Sequence, residues 1–214
     1  MIRSLYTAAT GMAAQQLDQD VVANNLANIN TYGFKKSRAN FQDLMYQVFT
    51  KAGSTSATGI QLPAGIEVGM GVKPISTQKM FSQGDFVQTG NSLDWAIEGD
   101  GFFQIDSGTG RTYYTRAGNF KLSKEGNIVN SEGLLVTPSI TIPNTAVTIT
   151  VDKTGAVSVT DQQGNISQVG QIQLARFVNT AGLTSIGRNL FDKTEASGEP
   201  TVGNPNADGR GAIT

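Results

Sequence analysis

The chain changes its hydrophobic period once, and that change constrains its architecture more than any other feature. Ile2, Leu5, Ala9 and Met12 step by three, four and three residues, the a/d spacing of a coiled-coil helix. Gln16 and Gln19 come next in that register, while the apolar stripe moves to Ala13, Leu17 and Val21 and runs on through Val22, Leu26 and Ile29. A one-position slip bends a seam without ending its helix. No proline interrupts residues 2–29 and Gly11 is the weak point, so the segment predicts a helix roughly 40 Å long. Asn28, Asn30 and Gly33 tolerate left-handed backbone and stop it. The expected seam is Ile2, Leu5, Met12, Leu17, Val21 and Leu26, with Gln15, Asp18, Gln19 and Asn25 on the opposite face. So narrow a stripe suits a partner helix better than a globular core, with packing on the chain's own domain as the alternative.

Residues 34–50 read as a shorter amphipathic or mixed stretch carrying Phe34, Phe41, Leu44, Met45, Val48 and Phe49. Residues 51–74 are rich in Gly, Ser and Thr and read as an extended connector or long loop. From about Ile75 the period becomes two. Val147, Ile149 and Val151 alternate with Thr148 and Thr150, Asp152-Lys153-Thr154-Gly155 turns the chain, and Val157 and Val159 alternate back, which predicts a β-hairpin. Further strands are expected around 96–105, 112–122, 134–137 and 171–178, separated by turn signals at 124–127, 131–133 and 163–165. The expected fold is mainly β with an N-terminal α-helix: a long amphipathic helix (1–30), a helical or extended connector (31–74) and one antiparallel barrel or sandwich-like domain (75–214).

Composition removes most chemistry. With no Cys and no His, thiol catalysis, disulfides, Cys/His zinc sites and Ser-His-Asp triads are excluded. A net charge of -1 gives no footprint for nucleic acid. No apolar run reaches the length of a membrane helix, and Gln15, Gln16, Asp18 and Asp20 arrive before a signal-peptide core forms. Lys35, Lys36 and Arg38 are the one local basic cluster and read as a solvated face. Gly69-x-Gly71 and Gly108-x-Gly110 lack the remainder of a phosphate loop. Asp94, Glu98 and Asp100 beside Trp95 are the best enzyme candidate, as paired carboxylates of a secreted carbohydrate-active protein, but the candidate is discounted because Glu98-Gly99-Asp100-Gly101 reads simply as a tight turn between strands. Tyr113, Tyr114 and Phe120 read as cross-strand packing.

The most specific stretch is Ala23-Asn24-Asn25-Leu26-Ala27-Asn28-Ile29-Asn30-Thr31-Tyr32-Gly33-Phe34-Lys35. It resembles the N-terminal signature of the bacterial flagellar rod and hook family, and Ser4 to Met12 is similar to that family's first helix. The segments 62–72, with Leu62, Pro63, Gly65, Gly69 and Gly71, 91–103 and 114–120 resemble the family's distal rod members most, over essentially the whole sequence. The resemblance implies a structural protein without catalysis, cofactor or metal. It implies helical self-assembly into a hollow shaft that transmits torque from motor to hook and conducts exported subunits. The helix would line the tube, residues 31–74 would bridge subunits, and the β domain would face periplasmic and outer-membrane bushing rings. Other rod proteins, the hook protein and the flagellar export apparatus are the implied partners; nucleic acid and membrane insertion are not. The implied place is the periplasm-spanning rod, reached by export without a cleavable signal peptide. The hook protein or a proximal rod protein is the alternative within the family. Because the family ends in a second helix that pairs with the first, a sequence stopping at Thr214 is expected to be truncated.

Overall fold

The computed structural model describes residues 2–57, 60–108 and 110–214, and it divides into two compact units. The first comprises the residues up to Ile29 with Lys36–Met80; the second comprises Asn30–Lys35 with Phe81–Thr214.

In the first unit the expected helix is present as α1, Ile2–Ala27. After it come β1 (Ser37–Asp43), β2 (Tyr46–Thr50), β3 (Thr55–Ala57), β4 (Ile60–Gln61), β5 (Ile66–Gly69) and β6 (Val72–Lys79). The pairings are nested: β1 with β6, β2 with β5, and β3 with β4, all antiparallel. Residues 37–79 therefore run out along one side of a two-stranded ribbon and return along the other. This differs from the expected amphipathic stretch and loop. Phe41, Leu44, Met45 and Val48 fall at helical spacing, but Tyr46, Val48, Phe49 and Thr50 favour a pleated surface, and the partner strand lies more than fifteen residues away, where local periodicity cannot register it. Strand β6 also runs through residue 75, so the first unit reaches Met80.

The second unit holds β7 (Ile97–Glu98), β8 (Phe102–Asp106), β9 (Thr112–Thr115), β10 (Lys121–Leu122), β11 (Ile128–Val129), β12 (Leu135–Thr137), β13 (Ala146–Val151), β14 (Ala156–Asp161), β15 (Ile166–Gln171), β16 (Leu174–Arg176), β17 (Thr184–Gly187), β18 (Leu190–Asp192), β19 (Thr201–Gly203) and β20 (Ala212–Ile213). One nine-stranded sheet runs β10-β11-β12-β8-β9-β18-β17, with β16 joining β8 to β19; it is open, not a closed barrel. β13-β14-β15 form a separate meander containing the expected hairpin, closed where the Gly155 N–H donates to the Asp152 carbonyl at 2.8 Å.

Strand β8 explains the core. Phe103 and Ile105 join Phe120, Ile128 and Val136 in one cluster that also takes Val157 and Val159 of the meander. Phe102, one position out of phase, joins Tyr114, Ala175, Phe177 and Phe191 in a second cluster. Neighbouring residues of a strand point to opposite faces, so the sheet is covered on both and β8 is buried from Phe102 to Ile105, Gln104 included. The arrangement is sandwich-like and antiparallel, as expected. Tyr114 and Phe120 are core residues in it.

Phe103 is fully buried and meets Phe120 edge-on at 5.1 Å, and Phe120 in turn packs on Trp95 at 5.3 Å. Replacing Phe103 with Ala is expected to cost the second unit about 3–5 kcal/mol. Trp95 is the sole tryptophan, so urea unfolding followed by its emission reads this unit directly. A loss below about 1 kcal/mol would contradict the packing described.

Candidate functional site

Helix α1 has two working faces. Thr7, Thr10, Gly11, Ala14, Leu17, Val21 and Asn25 are buried or half-buried and fall on one side of the helix, facing β1 and β6. Apart from Leu17 and Val21 these are small or polar, which lets the helix lie close to the ribbon. The Asn25 side chain fixes the register: its Nδ2 donates to the Ser37 carbonyl at 2.8 Å, and its Oδ1 accepts from the Ser37 N–H at 2.9 Å. Near the other end the Val72 N–H donates to the Thr10 hydroxyl at 3.4 Å. Gly71 beside it has φ +115°, and a Cβ there would collide with that hydroxyl, so glycine is required on both counts.

The opposite face is open. Ile2, Leu5, Met12 and Leu26 are 72%, 69%, 68% and 67% exposed. The six expected seam residues are therefore not one stripe, because Leu17 and Val21 turn towards the ribbon while the other four face away. The apparent slip is two stripes read as one. The outward row keeps strict a/d register from end to end: Ile2, Leu5, Ala9, Met12, Gln16, Gln19, Ala23 and Leu26. The sequence places Gln16 and Gln19 in this register but leaves them and Ala23 out of the expected seam, because polar and small residues carry no hydrophobic signal.

The Asn-rich segment is a capping and turning device. Asn28 donates through its backbone N–H to the Asn24 carbonyl at 3.2 Å and through Nδ2 to the same oxygen at 3.0 Å, closing the last turn of α1. Leu26 and Ala27 complete that turn, with the Ile29 N–H donating to the Leu26 carbonyl. In the second unit Asn30 leads into a turn in which the Phe34 N–H donates to the Thr31 carbonyl at 3.2 Å. Gly33 sits at φ +70°, where a Cβ would approach the Ala117 nitrogen to 2.6 Å. Asn189 Nδ2 donates to the Tyr32 carbonyl at 2.9 Å, and Lys35 Nζ to the Ser82 carbonyl at 2.7 Å. Burial, with the Arg116 guanidinium nearby, lowers the Lys35 pKa to about 8.

Along the ribbon, Leu62 bridges its width through two backbone bonds, its carbonyl accepting from the Gly53 N–H at 2.8 Å and its own N–H donating to the Ser54 carbonyl at 3.0 Å. Pro63 follows in the return turn, Gly65 lies against the backbone of Thr50 and Ala52, and Gly69 pairs with Tyr46. Tyr46, Val48, Phe49, Ile66 and Val68 are all exposed on this two-stranded segment.

The carboxylate alternative loses its platform. Trp95 is 6% exposed, its indole N–H donates to the Ser92 carbonyl at 2.9 Å, and its ring packs in the core. Asp94 accepts from Asn91 Nδ2 within the same turn, and Glu98 pairs with Ala212 in a short ladder. Among the described residues no group of three or more acidic side chains is arranged to hold a metal ion.

Comparison with known proteins decides the family. The model described as flagella basal body rod protein matches residues 5–35, and that described as flagellar hook protein FlgE/F/G D1 domain matches residues 96–159. The flagellar basal-body rod protein FlgG of Caulobacter vibrioides is 49% identical over 214 residues, covering 99% of this chain and 82% of the relative. That of Buchnera aphidicola from Schizaphis graminum is 44% identical over 214 residues, covering 100% and 82%. The chain belongs to the flagellar basal-body rod protein FlgG family. A flagellar hook protein FlgE of Helicobacter mustelae is also 44% identical, but over only 64% of this chain and 30% of its own length, so the hook alternative is not favoured. Membership in the FlgG family makes this a structural rod subunit of the flagellar basal body, in agreement with the resemblance carried by residues 23–35.

Lys35 gives the site a measurable pH signature. Its ammonium is disfavoured in the folded state, which releases its proton near pH 8, whereas the unfolded chain holds it to about 10.5. Over that window the unfolded state binds more protons, so this group adds stability as pH rises. The thermal midpoint of the parent relative to Lys35→Gln is expected to climb between pH 8 and 10.5; parallel pH profiles would refute it.

Proposed function

We propose that this chain is a self-assembling subunit of the distal rod, polymerising helically into a hollow drive shaft that transmits torque from motor to hook and passes exported subunits. The observation that carries this reading is the outward row of α1. An amphipathic helix gains most of its stability by covering its apolar face, and here Ile2, Leu5, Met12 and Leu26 are left to solvent along the whole helix. A neighbouring copy is the natural cover. The interface is head-to-tail, because a helical row on one copy meets a different surface on the next, and contacts of that kind grow filaments unless they close into a ring.

The ribbon supports the same reading. An isolated two-stranded ladder is marginal in water, yet β2 and β5 expose Tyr46, Val48, Phe49, Ile66 and Val68. Inserted between neighbouring copies, with Leu62, Pro63, Gly65, Gly69 and Gly71 shaping its course, it would bridge subunits and stiffen the shaft. Other rod proteins, the hook protein, the periplasmic and outer-membrane bushing rings and the export apparatus are the remaining proposed partners. The proposed location is the periplasm-spanning part of the basal body. No catalytic step is assigned, since the chain has neither Cys nor His and its acidic candidates sit in turns and ladders.

Changing Leu5 and Leu26 together to Asp is expected to abolish polymers while leaving the second unit folded. Negative-stain microscopy and sedimentation read the first, and Trp95 emission the second. Tubes formed by the double variant would sink the proposal. Val48→Glu with Ile66→Glu is expected to leave short or flexible polymers, measured as a drop in persistence length; unchanged stiffness would remove the ribbon from the bridge.

A further inference from the structure

A cleft in the second unit concentrates positive charge that neither the fold nor the assembly row uses. It encloses about 340 Å³ and is lined by Phe81, Phe102 and Phe177 together with Arg116, Arg176 and Arg210. Asp100 and Asp208 also line it, so three guanidinium groups face two carboxylates and one positive charge is left over.

The arginines are held in place but only partly satisfied. Arg210 is nearly enclosed, its side chain 5% exposed. Its Nη2 donates to Asp208 Oδ2 at 2.8 Å and its Nε to the Asn204 carbonyl at 3.2 Å, while Nη1 is buried with no acceptor. Arg116 lies over the Phe102 ring at 5.3 Å and donates from Nη1 to Gln83 Oε1 at 3.4 Å; its Nε likewise has no acceptor. Arg176 stands at the surface, donating from Nη1 to the Asp208 carbonyl at 3.3 Å. Buried guanidinium N–H groups without acceptors are costly, and an arginine keeps its charge at any relevant pH. Gly203 lies against the Arg210 guanidinium so closely that any side chain there would displace it.

We propose that this cleft is an oxyanion site that takes a carboxylate. A planar carboxylate matches the fork of a guanidinium, and a monoanion cancels the single excess charge, whereas a dianionic phosphate overshoots it. The aromatic floor lowers the local dielectric and strengthens the contact. The carboxylate comes either from a small free acid or from an Asp or Glu side chain of a second copy of this chain.

The test is an NMR titration of the chain, reading the Arg116 and Arg210 Nε–H signals, with sodium acetate against sodium chloride at equal ionic strength. A saturable response to acetate and none to chloride is expected. Arg176→Gln, which removes a surface side chain with one carbonyl contact, should weaken acetate about tenfold. Arg188→Gln, whose partner is Glu132, should leave it unchanged. Linear drift identical in both salts, or saturation unaffected by Arg176→Gln, overturns the site. Tighter saturation by inorganic phosphate than by acetate overturns the carboxylate assignment. Sedimentation in chloride separates the sources: acetate and Arg176→Gln both reduce self-association if a second copy supplies the group, and neither does if the ligand is a free acid. The acetate–chloride comparison on the parent chain needs no variant and does not depend on polymer formation.

Discussion

The pairing of β1 with β6 is the constraint on which the first unit depends. It brings Ser37 opposite Lys79 and Asp43 opposite Val72, closing an excursion of some forty residues at its base. Closing a loop of that length costs entropy that grows only slowly with its size, so a ladder of seven registered pairs is enough to hold it. Everything distal to the base is then local: β2 finds β5 and β3 finds β4 along the same ribbon, each ladder with a register shift of its own. The base also makes the platform on which α1 lies, and Asn25 ties the helix to the first residue of β1 by a two-way amide bond.

That platform explains why α1 has two faces of different character. Towards the ribbon, apart from Leu17 and Val21, it offers Thr, Gly, Ala and Asn, which permit close approach and hydrogen bonds but bury little apolar area. Away from it, the apolar side chains that would normally stabilise a globular protein are left uncovered. Such an inversion leaves the outward face open to a second contact. The heptad spacing of the open face, interrupted by Gln16 and Gln19 at its centre, adds a requirement of register, because polar residues at a/d positions penalise misaligned pairings.

Much of this was legible in the sequence. The 3.5-residue period located α1 nearly to the residue, and the Val-Thr alternation with its Asp152–Gly155 turn located the β13–β14 hairpin. The family was carried by residues 23–35, whose Asn24, Asn28 and Gly33 perform recognisable capping and turning. Three things were not legible. The ribbon was hidden because its β1–β6 and β2–β5 pairings join residues more than fifteen positions apart, while Phe41, Leu44, Met45 and Val48 mimic a helical face locally. The separation of Leu17 and Val21 from the open row was hidden because hydrophobicity alone does not say which of two stripes a platform will claim. The arginine cleft was equally invisible: Arg116, Arg176 and Arg210 lie far apart in sequence and meet because β9, β8, β16 and β19 are neighbours in one sheet and Arg210 folds back on Gly203 of β19.

The absence of reactive side chains acquires a structural sense in this light. A chain without Cys or His cannot be trapped by disulfides in an oxidising compartment, and its strand surfaces rely on Thr, Ser, Asn and Gln. Neutral polar groups hydrogen-bond to a neighbouring copy without the desolvation cost that buried charges impose. The few charges that are buried therefore stand out, and the guanidinium groups of Arg116 and Arg210 are the clearest exception to that economy. A fold that keeps charge out of its contacts almost everywhere, yet encloses two incompletely satisfied arginines over an aromatic floor, has a reason to do so at that point, and an incoming carboxylate supplies one.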